Sequence, residues 1–205
     1  MGIDPGHGGQ DRGVRVDGFT EADFTLNLAG LVRDALRNLG QAAVLSRNGD
    51  VDLSNTARVQ WANQAHLACL VSLHANYSFS PASSGVRVFV PPASAPPQVV
   101  SNPDGGAGLP ILRWGQASAL NAAASRRLGQ DIAAELEAGS AQKRGVQSLK
   151  LALFRGLVPP ACLVECGFAS NPGDLAKLKD PQHARDLARE IAQGIERYLG
   201  SPAPQ

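Results

Sequence analysis

Leu67-Ala68-Cys69-Leu70-Val71-Ser72-Leu73 runs apolar for the length of a strand and ends on His74-Ala75-Asn76. A short run without polar alternation reads as a strand covered on both faces, the usual condition of a parallel sheet. On its amino side, residues 54–64 have helical character, and 42–45 form another short apolar run. Further back, Phe24, Leu28, Leu31, Leu36 and Leu39 share one broad face at helical spacing, so a helix is expected from Thr20 until Gly40 stops it. Thr20 and Asp23 read as a capping box, which leaves Glu21 free for another role. On the carboxyl side, Val86, Val88 and Val90 alternate at period two, 118–136 looks helical, and 149–154 and 161–165 read as two more short strands. Asp180-Pro181 opens a last helix carrying Leu187, Ile191, Ile195 and Leu199. This alternation predicts an α/β fold: a single domain around a mostly parallel, twisted sheet of about six strands flanked by helices.

A chain of 205 residues suits one domain with a substantial core, expected here over 1–200. Its 22 glycines and 14 prolines exceed the average but stay short of a low-complexity composition. Formal net charge is +1, which argues against the broad basic face of a nucleic-acid binder. No run approaches the ~18 apolar residues of a membrane span and no charged-then-apolar leader opens the sequence, so these residues are expected to be soluble. Cys69, Cys162 and Cys166 each lie inside an apolar run, without Cys-x-x-Cys spacing, and read as small buried residues. Seven of the prolines fall between Pro81 and Pro110, and 91–115 is expected to be a long Pro/Gly-rich loop, irregular or disordered rather than a lid. Residues 201–205 are expected to fray.

Three stretches carry potential chemistry. Asp4-Pro5-Gly6-His7-Gly8-Gly9 puts a histidine in a glycine-rich turn after a short apolar start. Either it is a plain turn, or the glycines bring the backbone close around a ligand or metal carried by His7. A phosphate loop fits poorly, because no Gly-Lys-Ser/Thr follows. His74 closes the central strand, where a lone histidine would ordinarily face solvent. Glu165 closes Ala161-Cys162-Leu163-Val164-Glu165, and a carboxylate there must reach solvent, meet a cation or serve a site. Position joins the three. Ligands of parallel α/β sheets bind outside the carboxyl ends of the strands, where His7, His74 and Glu165 are all expected, and Glu21 opens its helix on the same rim. Two neutral imidazoles and one carboxylate, with a place for water, make a catalytic zinc set, and the remaining carboxylate would be a general base. Asp4, Ser72 and Asn76 flank the histidines and are candidates to hydrogen-bond the imidazoles and fix their tautomers. His66 and His183 are expected away from this rim.

Several of these segments together resemble the zinc-dependent N-acetylmuramoyl-L-alanine amidases, bacterial cell-wall hydrolases. The resemblance covers nearly the whole chain: Asp4-Pro5-Gly6-His7-Gly8-Gly9, Glu21 with Asn27-Leu28-Ala29, Ser46-Arg47, Arg58 with Ala62-Asn63, Ser72-Leu73-His74-Ala75-Asn76, Gly85-Val86, and Pro160 to Phe168 with Ser170-Asn171-Pro172. It implies Zn(2+) held by His7, Glu21 and His74, Glu165 as catalytic glutamate, and a peptidoglycan muramyl-peptide substrate. It also implies a place in the periplasm or cell envelope, with an export signal that these residues do not include. Another zinc peptidoglycan peptidase and a non-catalytic wall-binding domain are the rival readings, and a protein activator stays open. Some relatives carry a helix whose glutamate occupies the metal. Here Ala75 to Ser125 contains no glutamate, so that block is not expected.

Overall fold

The computed structural model describes residues 1–93, 114–138 and 143–200. β1 (Gly2–Pro5), β4 (Val44–Leu45), β5 (Leu70–Asn76), β6 (Val86–Val90), β7 (Lys143–Ser148) and β8 (Ala161–Phe168) form one six-stranded sheet in the order β4-β1-β5-β8-β6-β7. All its pairings are parallel except β6 with β8. β2 (Arg15–Val16) and β3 (Phe19–Thr20) make a small separate hairpin.

The helices α1 (Glu21–Asn38), α3 (Ala122–Ala138) and α5 (Pro181–Gly200) cover one face of the sheet. Val71, Leu73 and Ala75 of β5, Cys162, Val164 and Cys166 of β8, and Val86, Val88 and Val90 of β6 point into that core. Alternation sends their neighbours to the other face. There Leu70, Phe89, Ala161 and Leu163 meet α2 (Asn55–Gln64) and a 3₁₀ turn, Ala152–Phe154. That smaller cluster covers only the amino-terminal part of the second face. The next row toward the carboxyl ends is His74, Glu165 and Arg87, in direct register across β5, β8 and β6.

α1 starts at Glu21, but not through a capping box: the Thr20 side chain makes no cap hydrogen bond and Asp23 pairs with Arg12. The first helical N–H groups are already satisfied, Glu21 N donating to Val14 O and Ala22 N to Arg12 O, so the preceding loop does the work of a cap. At the other end Gly40 takes φ +76°, with Gly40 N donating to Arg37 O and Gln41 N to Leu36 O, a Schellman closure.

Residues 149–154 are not a strand. Leu149-Lys150-Leu151 is a connection into the 3₁₀ turn, whose Leu153 and Phe154 fill the cluster beneath α2. The edge strand lies just before, in the polar Lys143–Ser148. A short apolar run does not distinguish a strand from a turn that buries side chains, and a polar edge strand carries no apolar signal. The helix expected from 118 begins as a 3₁₀ turn, Trp114–Asn121. α4 (Pro172–Leu178) was legible but unread: Asn171 accepts from the N–H groups of Gly173 and Asp174, with proline at the first helical position. Most of the expected 91–115 loop and the 201–205 tail lie outside the described residues, as does much of the stretch bearing on a metal-blocking segment.

All three cysteines are buried, and burial pushes their thiols up, Cys69 to about 12. No helix among the described residues is long and apolar enough to cross a membrane.

Candidate metal centre

The turn after β1 is held by two buried arginines. Arg47 donates to the carbonyls of Pro5 (3.1 Å), Gly6 (2.9 Å) and Ala22 (2.8 Å). Arg58 donates to the carbonyls of Pro5 (2.7 Å) and His7 (2.8 Å) and pairs with the Asp4 carboxylate. Carbonyls that a buried loop would otherwise orphan are thus paired, and the turn is fixed from behind. His7 sits at φ 57°, a left-handed conformation uncommon for a residue with a side chain. Glycine is required by proximity at two places. A Cβ on Gly6 would lie 2.3 Å from His74 Cε1, and one on Gly13 would lie 2.5 Å from Glu21 Oε2.

From this frame His7, from the start of α1 Glu21, and from β5 His74 converge. His7 Nε2 lies 3.1 Å and His74 Nδ1 2.9 Å from the same oxygen, Glu21 Oε1. The three residues offer ligand atoms that all lie within 4.8 Å of one another. Glu21 is anchored by backbone donors, Ala75 N on Oε1 (3.0 Å) and Val14 N on Oε2 (2.9 Å). Asp11 Oδ2 stands 2.8 Å from His7 Nδ1, leaving Nε2 to face the cluster. Burial alone would raise the Glu21 carboxyl, yet its contacts with His7 and His74 hold it far below the usual carboxylate range. Burial would likewise lower the His7 imidazole, but Glu21 and Asp11 outweigh it and hold its pKa above the ordinary value.

Glu165 stands one strand away from His74 on the same face. Its Oε2 is buried without a hydrogen-bond partner. Burial pushes its carboxyl up to about 7 against the pull of His74, and the charge of Glu21 adds to the rise. Two imidazole nitrogens and a carboxylate oxygen suit a zinc-type ion by donor chemistry, and a partnerless carboxylate beside them fits a group awaiting water or substrate.

A family model described as N-acetylmuramoyl-L-alanine amidase matches residues 1–197. The chain belongs to that family. The amidase AmiC of Neisseria meningitidis is 29% identical over 219 residues, an alignment covering 97% of this chain and 52% of that protein. The chain therefore spans about half the length of that curated relative. Among solved structures, an N-acetylmuramoyl-L-alanine amidase from Clostridium difficile 630 superposes with a TM-score of 0.80 at 25% identity, covering 98% of this chain and 97% of that one. The catalytic domain of CwlV, an amidase of Bacillus (Paenibacillus) polymyxa var. colistinus, gives 0.78 at 27% identity, covering 97% and 96%.

In this amidase-family fold His7, Glu21 and His74 meet as expected, with Glu165 in the adjoining register position. His74 and Glu165 lie inside their strands rather than past the ends, because β5 and β8 run on to Asn76 and Phe168. Asp4 accepts from Ser46, Arg58 and Ser72, and Asn76 Oδ1 accepts from Tyr77 N, so the contacts of these three candidates go elsewhere than to an imidazole. Besides Glu21, the carboxylate that meets an imidazole is Asp11, which sequence reading missed although it lies four residues after His7. His66 follows α2 and His183 opens α5; neither joins the cluster.

Proposed function

We propose that this chain hydrolyses the amide between the lactyl group of N-acetylmuramic acid and L-alanine in peptidoglycan, as a zinc enzyme acting in the cell envelope, with residues 1–200 as its catalytic unit. The observation that supports this most is the convergence of His7, Glu21 and His74 beside the partnerless Glu165, in a chain whose residues 1–197 match the amidase family. His7, Glu21 and His74 would hold the ion. When bound, zinc supplies Lewis-acid polarisation of the scissile carbonyl and acidifies water.

The remaining work falls to the chain's own groups. Glu165, with a carboxyl near 7, is matched to accept a proton from the attacking water and pass it to the leaving amine at neutral pH. The C–N bond breaks, a C–O bond forms, and the released L-alanine amine carries the proton. Asp11 holds His7 with Nε2 forward, and Ala75 N and Val14 N keep Glu21 in place. A cleft of about 470 Å³ lined by His7, Glu21 and Tyr77 adjoins one of about 510 Å³ that shares Val16 and Tyr77.

Purified cell wall treated with the zinc-loaded protein should release stem peptides with an L-alanine amino terminus. Fragments cut within the peptide would instead identify a peptidase, and no cleavage a wall-binding domain. Glu165→Gln should retain stoichiometric zinc and lose roughly 10²–10⁴-fold in kcat; near-full turnover would remove Glu165 from the mechanism.

A further inference from the structure

Arg87 has no part in the mechanism above, yet it occupies the next place in the same row. β5, β8 and β6 put His74, Glu165 and Arg87 in direct register, and paired residues of neighbouring strands project to the same face. A register shift in β8 brings Phe168 opposite Asn76. The buried Phe168 ring carries the guanidinium, whose carbon lies 4.5 Å from the ring centroid. Stacking of this kind fixes a cation without consuming its N–H donors. Arg87 Nε and Glu165 Oε2 are both buried and both lack a hydrogen-bond partner, so the two do not satisfy one another. Arg87 as a whole is only partly buried, so its oriented guanidinium, at the edge of an acidic cluster, is placed to meet an anion that arrives from outside.

The order along the row says which part of the substrate that anion belongs to. Glu165 must reach the leaving amine, so the amine side of the scissile bond lies over Glu165. The chain continuing from that amine then runs away from His7 and His74, toward Arg87. The glycan side would then leave on the opposite side, where the clefts lined by Val16 and Tyr77 lie beside His7 and Glu21. The scale agrees: one strand spacing separates β8 from β6, about 5 Å, within the about 7 Å that two extended residues cover.

We infer that Arg87 is a specificity residue that receives a carboxylate on the leaving peptide, at the second residue from the scissile amide. This rests on the amidase reading and adds to it which substrates are preferred: peptides with that carboxylate free over peptides with it amidated.

The test compares two muramyl dipeptides with the γ-carboxyl blocked as an N-methylamide, one with the α-carboxylate of D-isoglutamate free and one with it as the carboxamide of D-isoglutamine, on zinc-loaded protein. Wild type should cleave the carboxylate form at least tenfold better in kcat/KM. R87Q should lose tenfold or more on the carboxylate form, stay within about twofold on the amide, and so erase the preference; R87K should keep part of it. Binding of the same two compounds to E165Q, with and without R87Q, gives the preference without turnover. Equal losses on both substrates, or a shifted pH profile with the preference intact, would overturn the assignment and make Arg87 a structural or tuning residue. Cleavage of neither compound by wild type, together with no release of stem peptides from cell wall, would bring down the amidase reading and this inference with it. Cell-wall activity without cleavage of either dipeptide moves the comparison to longer muramyl peptides of the same two kinds, where loss of the preference in R87Q is again required.

Discussion

On β5, Val71, Leu73 and Ala75 are sealed under α1, α3 and α5, while Leu70, Ser72 and His74, interleaved with them, face the other way. The first face is apolar from one end to the other. The second changes character along the strand: Leu70 packs under α2, Ser72 donates to Asp4, and His74 joins Glu21. Among the described residues α2 and its 3₁₀ turn cover only part of that face, and the row beyond them holds the chemistry. One sheet thus supplies stability on one side and reactivity on the other, with single-residue spacing between the two.

Adjacent residues can therefore test the division. His74→Ala should abolish stoichiometric zinc binding and with it turnover, while the metal-free protein melts close to wild type. Leu73→Ala, one position away, should cost about 2–5 kcal/mol of stability yet leave the folded fraction with its full metal content. Metal analysis and thermal unfolding of the two variants would break the comparison if His74→Ala kept its zinc or if Leu73→Ala lost it at a temperature where the protein is folded. Gly6→Ala sits where the two faces meet. Its new Cβ would fall 2.3 Å from His74 Cε1, so the imidazole must move. Zinc affinity should drop at least tenfold, with overpacking costing about 1–3 kcal/mol; an unchanged zinc titration would show that the ring has room the structure does not give it.

The first face was readable because burial leaves a periodic mark: the run at 70–73, the valines at 86, 88 and 90, and the spacing of α1 all follow from it. The site residues were readable because histidine and glutamate interrupt apolar strands, where an uncompensated polar group is costly. What escaped was held by contacts between segments distant in the chain. Thr20 and Asp23 have the spacing of a capping box, but carbonyls of the loop before α1 take the helical N–H groups. Asp11 differs from any loop carboxylate only by meeting His7, and Arg47 and Arg58 act through carbonyls that leave no mark in a side-chain pattern. The 149–154 run failed for the opposite reason: its apolar residues are buried, but in a turn.

Smaller effects sharpen the electrostatics of the row that holds the chemistry. Asp11→Asn keeps a hydrogen-bonding group near His7 Nδ1 but removes the charge that favours Nε2 as the ligand atom. Chelator competition should show roughly 10–100-fold weaker zinc, the usual cost of losing such a partner; unchanged affinity would mean that backbone geometry alone orients the ring. Zinc affinity should also fall as pH drops, because protons compete for His7, whose pKa is held above the ordinary imidazole value. Competition should therefore begin at higher pH than for a free imidazole, and Asp11→Asn should move its onset downward.

The last effect concerns the metal-free fold itself. Glu165 ionises near 7 when folded and near the ordinary carboxylate value of about 4.3 when unfolded. Between those values the folded state holds a proton that the unfolded state has lost, so this group removes stability as pH rises through the window. Below the unfolded value both states are protonated and the penalty is absent. Glu165→Gln cannot ionise, so metal-free Glu165→Gln should melt above metal-free wild type at about pH 8, with the gap shrinking toward zero near about pH 4. A gap that is constant with pH would show that the Glu165 carboxylate finds its missing partner in solution, and that this row is better solvated than its buried Oε2 indicates.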